Sequence, residues 1–141
     1  MKQVSMLSVE LVPLMIEALN HNKSISFKVS GTSMLPFFKH QSTTIHLIKK
    51  GDPYQRLDVV LFKYQDGYRL HRIMKINRDQ VVASGDNLLS KEVFHPSQII
   101  GFVESFGQTK MIKSHQMFYR LRVLCWLLIK PIMIRLRGIF K

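Results

Sequence analysis

The stretch Ile25-Ser26-Phe27-Lys28-Val29-Ser30-Gly31-Thr32-Ser33-Met34-Leu35-Pro36 decides how the rest of the chain is read. Its first five residues alternate apolar and polar at period two, the mark of a strand with one buried face. It then breaks at Ser30-Gly31 and is closed by Pro36, so a strand runs into a compact turn. Working outward, Thr43 to Ile48, Asp58 to Tyr64, Tyr68 to Ile76, Gln80 to Ala83 and Ile99 to Glu104 are further strand candidates. Turn chemistry separates them at Gly51-Asp52-Pro53, Asp66-Gly67, Asn77-Arg78-Asp79 and Gly85-Asp86-Asn87. Asp66-Gly67 between two apolar runs predicts a tight hairpin. Six or so short strands joined by short turns predict a mainly β, mostly antiparallel core.

Helical patterns flank this core. Ser8 is placed to cap a short helix with Leu11, Met15 and Leu19 on one face, ending near Asn20-His21-Asn22. From about Gln116, Leu121, Cys125, Leu128, Ile132, Leu136 and Ile139 recur at helical spacing, with cations around the remaining circumference. Pro131 predicts a kink or the start of a second helix. The expected organisation is therefore a helical segment over 1–24, a β domain over 25–110 and a basic amphipathic tail over 116–141.

The chain has 141 residues and 46% apolar composition, which suits one domain with a real core. Cys125 is the single cysteine, so an internal disulfide and a cysteine metal site are both excluded by count, and a small buried hydrophobe is expected there. The net charge of +12 calls for an anionic partner or surface. Six cations and no acid fall between Arg120 and Lys141. For that tail three readings compete: packing on the β domain, lying in the plane of an anionic membrane surface, or binding a partner protein. The acid-free cationic face favours the membrane surface. Nucleic acid is not the expected partner, since no zinc-finger spacing, helix-turn-helix pattern or aromatic–basic platform appears. Met1 to Met6 and the interrupted Leu11 to Ala18 do not make a signal peptide. No segment reaches the roughly 18 apolar residues of a membrane span, so the expected location is membrane-associated or cytoplasmic.

Three short elements carry chemistry. A serine nucleophile needs an exposed Oγ on a rigid turn with backbone N–H groups nearby to hold an oxyanion. Ser33 sits in such a turn, with Gly31 and Thr32 before it and Met34 and Pro36 after it, although a Ser-Gly-Thr-Ser stretch also serves as a plain turn. In Tyr68-Arg69-Leu70-His71-Arg72-Ile73, strand geometry puts His71 on one face with Arg69 and Ile73, and Leu70 and Arg72 on the other. A lone strand histidine is often structural, yet a neutral imidazole is the usual base for a serine. Gly85-Asp86-Asn87 brings a turn carboxylate able to orient an imidazole.

In sequence these pieces form a series: Ser33-Met34-x-Pro36, Asp58-Val59-Val60-x-Phe62, Leu70-His71-Arg72-Ile73, Gly85-Asp86-Asn87 and Ile100-Gly101-Phe102-Val103. The series resembles the boxes of type I signal peptidases, over roughly residues 27–104. Histidine rather than lysine before the arginine resembles the Ser–His branch of that family. The resemblance implies Ser33 as nucleophile, His71 as general base, Asp86 as orienting carboxylate, and Gly31, Thr32, Met34 and Pro36 at the oxyanion and substrate side. It implies no metal or organic cofactor, and a peptide or leader segment of a precursor protein as substrate. The sequence departs from the family at Gly31, where a serine often assists the oxyanion hole, so the hole would rest on backbone N–H groups, chiefly that of Ser33. It departs again at Leu57, where glycine is usual, and at Leu88-Leu89-Ser90-Lys91, where acids often follow; Glu92 is the nearest substitute. The family's usual N-terminal membrane span has no counterpart here, as in small span-free relatives that accompany peptide-modification systems. The rival reading is a peptide-binding module of the same fold that does not cut. Self-cleaving repressor-type peptidases use a lysine base and a DNA-binding domain, and neither is visible.

Overall fold

The computed structural model describes residues 2–139, with side chains from residue 11 onward; Met1, Phe140 and Lys141, and the Ser8 side chain expected to cap a helix, lie outside the described residues. The chain begins with helix α1 (Lys2–Asn20), continues through β1 (Ile25–Lys28), β2 (Thr44–Ile48), β3 (Val59–Tyr64), β4 (Gly67–Ile76), β5 (Val81–Ser84), β6 (Glu92–Phe94), β7 (Ile99–Gly107) and β8 (Ile112–Lys113), and closes with helix α2 (Met117–Ile139). The strands form one antiparallel sheet in the order β1-β2-β7-β3-β4-β5-β6, with β8 pairing β7. The mainly β reading with a helix at each end therefore holds. Among the described residues no helix is long and apolar enough to cross a membrane.

Alternation along the central strands separates two apolar clusters. Val59 and Leu61 of β3 join Leu70, Val103 and Phe106 on one side. Val60 and Phe62 join Ile73, Ala83 and Phe94 on the other, where the Phe62 and Phe94 rings stack at 3.9 Å. Burying both faces of β3 explains its unbroken apolar run. The β3–β4 hairpin turns at Gln65-Asp66, one residue before the expected Asp66-Gly67, because Gly67 already pairs with Tyr64 and Gln65 takes the positive φ of 53°.

The helices differ from expectation in instructive ways. Helix α1 starts well before Ser8, so that residue is internal. Its inward positions are Val12 and Leu19, with Met15 packed beside the first cluster, while Leu11 faces solvent. Helix α2 runs unbroken through Pro131. It does pack on the β core, but through Tyr119 and Val123, with Leu127 alongside. The stripe of Leu121, Cys125, Leu128, Ile132, Leu136 and Ile139, which the packing alternative would turn inward, is exposed, and Cys125 is not the buried residue expected. The physical reason is that the inward face of α2 carries polar tips that find partners inside. The Tyr119 hydroxyl oxygen accepts a bond from the buried Arg72 guanidinium at 2.8 Å. Burial raises the Tyr119 pKa, with Arg72 opposing, so the hydroxyl remains neutral in the core.

Tyr119→Phe should therefore lower the unfolding free energy in urea by about 1.5–3 kcal/mol, as expected for a hydrogen bond to a charged group. An unchanged midpoint would mean that α2 is not seated through this contact.

Candidate active site

The turn after β1 is fixed from several sides. Gly31 adopts φ 88°, a left-handed conformation that suits glycine, and its N–H donates to His40 Nδ1 at 2.7 Å. A serine at this position would be strained in the same backbone conformation. The Met34 side chain is wholly buried, and its sulfur accepts the Asp86 N–H at 3.4 Å. Met34 is thus an anchor beneath the turn and not a surface that meets substrate. Pro36 follows a cis Leu35–Pro36 bond and is exposed. Thr32 is exposed, with its carbonyl accepting from Asn87 Nδ2 at 3.1 Å, and the Ser33 carbonyl accepts the Asn87 N–H at 2.8 Å. Two turns distant in sequence, 30–36 and 85–87, are zipped together by these bonds. Ser33 itself is half-exposed. Among the described residues its N–H has no acceptor, which leaves it available to an oxyanion.

His71 lies on β4 opposite Val60 and is almost wholly buried. Its Nε2 is 3.3 Å from Ser33 Oγ, and its Nδ1 is 2.6 Å from Glu92 Oε1. A carboxylate accepts only, so Nδ1 carries the proton and Nε2 presents its lone pair to the serine. The serine–histidine contact is at the long end for a hydrogen bond, as is common before substrate tightens such a site. Serine, imidazole and carboxylate form a continuous relay. Gly85 closes in beside it: a Cβ there would sit 2.6 Å from the Ser33 carbonyl oxygen and 3.1 Å from His71 Nε2. The glycine of this turn is therefore required by close approach to both Ser33 and His71.

Asp86 does not play the expected part. Its carboxylate faces Arg72, accepting from Nε at 2.8 Å and from an Nη at 2.7 Å. Arg72 also donates to the Leu57 carbonyl at 2.9 Å. Residues 71 and 72 point to opposite faces of β4, so the carboxylate that serves Arg72 is on the wrong side for His71. Burial works against the Arg72 charge, but Asp86 and Tyr119 more than offset it, and its pKa rises above the ordinary arginine value. The carboxylate that meets the His71 imidazole is Glu92, from the three-residue strand β6. Leu57, where the family resemblance expects glycine, has φ 79°. A leucine held there costs about 1–3 kcal/mol of backbone strain, offset by burial of its side chain and by the bond to Arg72.

Helix α2 reaches this region too. Trp126 Nε1 donates to the Asp86 carbonyl at 2.7 Å, and Lys130 Nζ donates to the Gly85 carbonyl at 2.8 Å and meets Ser84 Oγ at 3.3 Å. Desolvation lowers the Lys130 pKa, with Asp86 opposing. This lysine braces the turn from behind and makes no bond to Ser33. A second serine–histidine pair, Ser26 Oγ and His46 Nδ1 at 2.7 Å, lies exposed across β1 and β2, but among the described residues no acid bonds that histidine. Among the described residues no group of three or more histidine, cysteine, aspartate or glutamate side chains is arranged to hold a metal ion.

No protein-family model, no curated protein and no solved structure matches this chain.

The two carboxylates should separate cleanly by mutation. Glu92→Gln should slow acylation of Ser33 by a serine-directed probe roughly 10²–10⁴-fold, the range for loss of a triad carboxylate, with little change in the urea midpoint. Asp86→Asn should instead leave Arg72 buried and unpaired and lower stability by about 3–5 kcal/mol. The reverse pattern would restore Asp86 as the partner of the imidazole.

Proposed function

We propose that the protein is a serine endopeptidase of the signal-peptidase type, which cleaves a peptide or leader segment of a precursor protein. The observation that carries this reading is the relay in which His71 Nε2 faces Ser33 Oγ at 3.3 Å while Nδ1 is held by Glu92 at 2.6 Å. His71 takes the Ser33 proton as Oγ attacks the scissile carbonyl. The Ser33 N–H receives the developing oxyanion, and the imidazolium then protonates the leaving amine. In the second half, water loses a proton to His71 and attacks the ester, and the acid product leaves as Oγ regains its proton. Glu92 keeps the imidazole in the tautomer that both halves need.

The site also suits an extended substrate. Strand β1 is an edge of the sheet and leads directly into the nucleophile turn. A peptide adding along that edge would use backbone hydrogen bonds for affinity and would bring its carbonyl toward Ser33.

Incubation with a peptide library, followed by mass spectrometry of the fragments, tests the proposal. Wild-type protein should cleave after a restricted set of residues. Ser33→Ala and His71→Ala should each lower the rate roughly 10⁴-fold or more while leaving the unfolding midpoint within a few degrees. Full cleavage by Ser33→Ala would overturn the reading, and peptide binding by wild type without any cleavage would favour a non-catalytic module.

A further inference from the structure

The outward face of α2 has no counterpart in the site chemistry. Phe118 is 83% exposed, Leu128 80%, Ile139 71% and Ile132 59%, and Leu121 and Leu136 lie on the same side. At about 100° per residue these positions cluster on one side of a helix roughly 34 Å long. The opposite side is already committed, through Tyr119, Val123, Trp126 and Lys130, to the core and to the Gly85–Asn87 turn. The helix cannot roll over to bury its apolar stripe without breaking those bonds. A stripe of this length is larger than the scattered exposed leucines of an ordinary surface.

Charge identifies what covers it. Glu104 is the last acid in the sequence, and eight lysines and arginines follow it. On α2, Arg135 lies within the apolar stripe and Arg122 at its border, both exposed, with Arg120 half-buried at the other border. A second copy of this chain on the same face would set these cations against their own copies with no acid to answer them. A bilayer that carries anionic headgroups meets both requirements: acyl chains take up the stripe, and the guanidinium groups snorkel to the phosphates.

We propose that α2 is an in-plane membrane anchor, which lays its Leu121–Leu128–Ile132–Leu136–Ile139 face into the surface of an anionic lipid bilayer. The helix then lies between the lipid and the Gly85–Asn87 turn, with that turn about one helix diameter, ~10 Å, from the bilayer surface. Docking depends on the outer face alone and stands whether or not Ser33 is a nucleophile.

Flotation of the full chain with vesicles is the test. Protein should float with phosphatidylcholine vesicles containing about 30% phosphatidylglycerol, bind far less to pure phosphatidylcholine, and lose most of its binding near 0.5 M salt, where charges are strongly screened. Leu128→Glu with Ile132→Glu should lower the bound fraction by at least roughly tenfold. Arg122→Glu with Arg135→Glu should remove the preference for the anionic vesicles. The Leu128–Ile132 variant should keep the wild-type unfolding midpoint, since both side chains are exposed; the arginine variant should stay folded with a midpoint near it, giving up the contact of Arg122 with the Phe37 ring, and Ser33→Ala should float like wild type. Failure of the wild type to float with either vesicle, or unchanged flotation of the Leu128–Ile132 variant, overturns the proposal. So does a wild-type dimer in sedimentation that ignores vesicles and becomes a monomer on the Leu128–Ile132 substitution, which would make a second copy the occupant.

Discussion

Arg72 and Asp86 form a bidentate pair in which both side chains are about 1% exposed. Placing two charges there is costly, and the pair is tolerated because nearly every donor and acceptor is engaged. Asp86 takes two bonds from the guanidinium, the Leu57 carbonyl takes a third, and the Tyr119 hydroxyl oxygen a fourth. Strand β4, the loop before β3, the 85–87 turn and helix α2 thus meet at one guanidinium. Removing one partner leaves an uncompensated charge in the core, so these elements are coupled far more tightly than apolar contacts alone would couple them.

The Ser33–His71 pair is placed by that joint without being part of it. Once Arg72 holds Asp86, the neighbouring Asn87 is in reach of the Thr32 and Ser33 carbonyls, and Gly85 comes against His71. The Ser33 turn is therefore positioned by the far face of the strand that carries His71. Period-two alternation makes the division possible: His71 of β4 faces Ser33, and the next residue, Arg72, serves the frame. The low stability cost expected for changing Glu92, against the high cost expected for Asp86, follows from the same division. Glu92 lies on β6 at the sheet edge, where it orients His71 and braces nothing else.

Much of this was legible in the sequence, and the losses have physical causes. Alternation and short apolar runs located six strands, β1 to β5 and β7, because a buried face constrains each of them. Strands β6 and β8 have only three and two residues, too few for a period to show. The acid beside His71 was missed for that reason: Glu92 belongs to a strand that pattern could not reveal, whereas the resemblance pointed to Asp86 in a conspicuous turn, and Asp86 bonds Arg72. Glu92 was nonetheless the nearest acid after Asp86, and that proximity was the available signal. On α2 the stripe of leucines and isoleucines was legible in the sequence, and it faces outward. Hydropathy could not anticipate the inward face, where the polar tips of Tyr119, Trp126 and Lys130 are satisfied by Arg72, Asp86 and Gly85. Leu57 illustrates the converse: the expectation of glycine was sound as backbone chemistry, since φ there is 79°, and leucine occupies the position despite the strain.

The central claim is that His71 and Glu92 activate Ser33 and no other serine. Incubation of the native protein with a fluorophosphonate, followed by peptide mapping, tests it most directly. Ser26 provides an internal control, because its Oγ lies 2.7 Å from His46 yet lacks a relay carboxylate and a turn amide. The account predicts a single adduct, on Ser33, that disappears when the protein is unfolded before labelling. An adduct on Ser26, or none on Ser33 in folded protein, would contradict it.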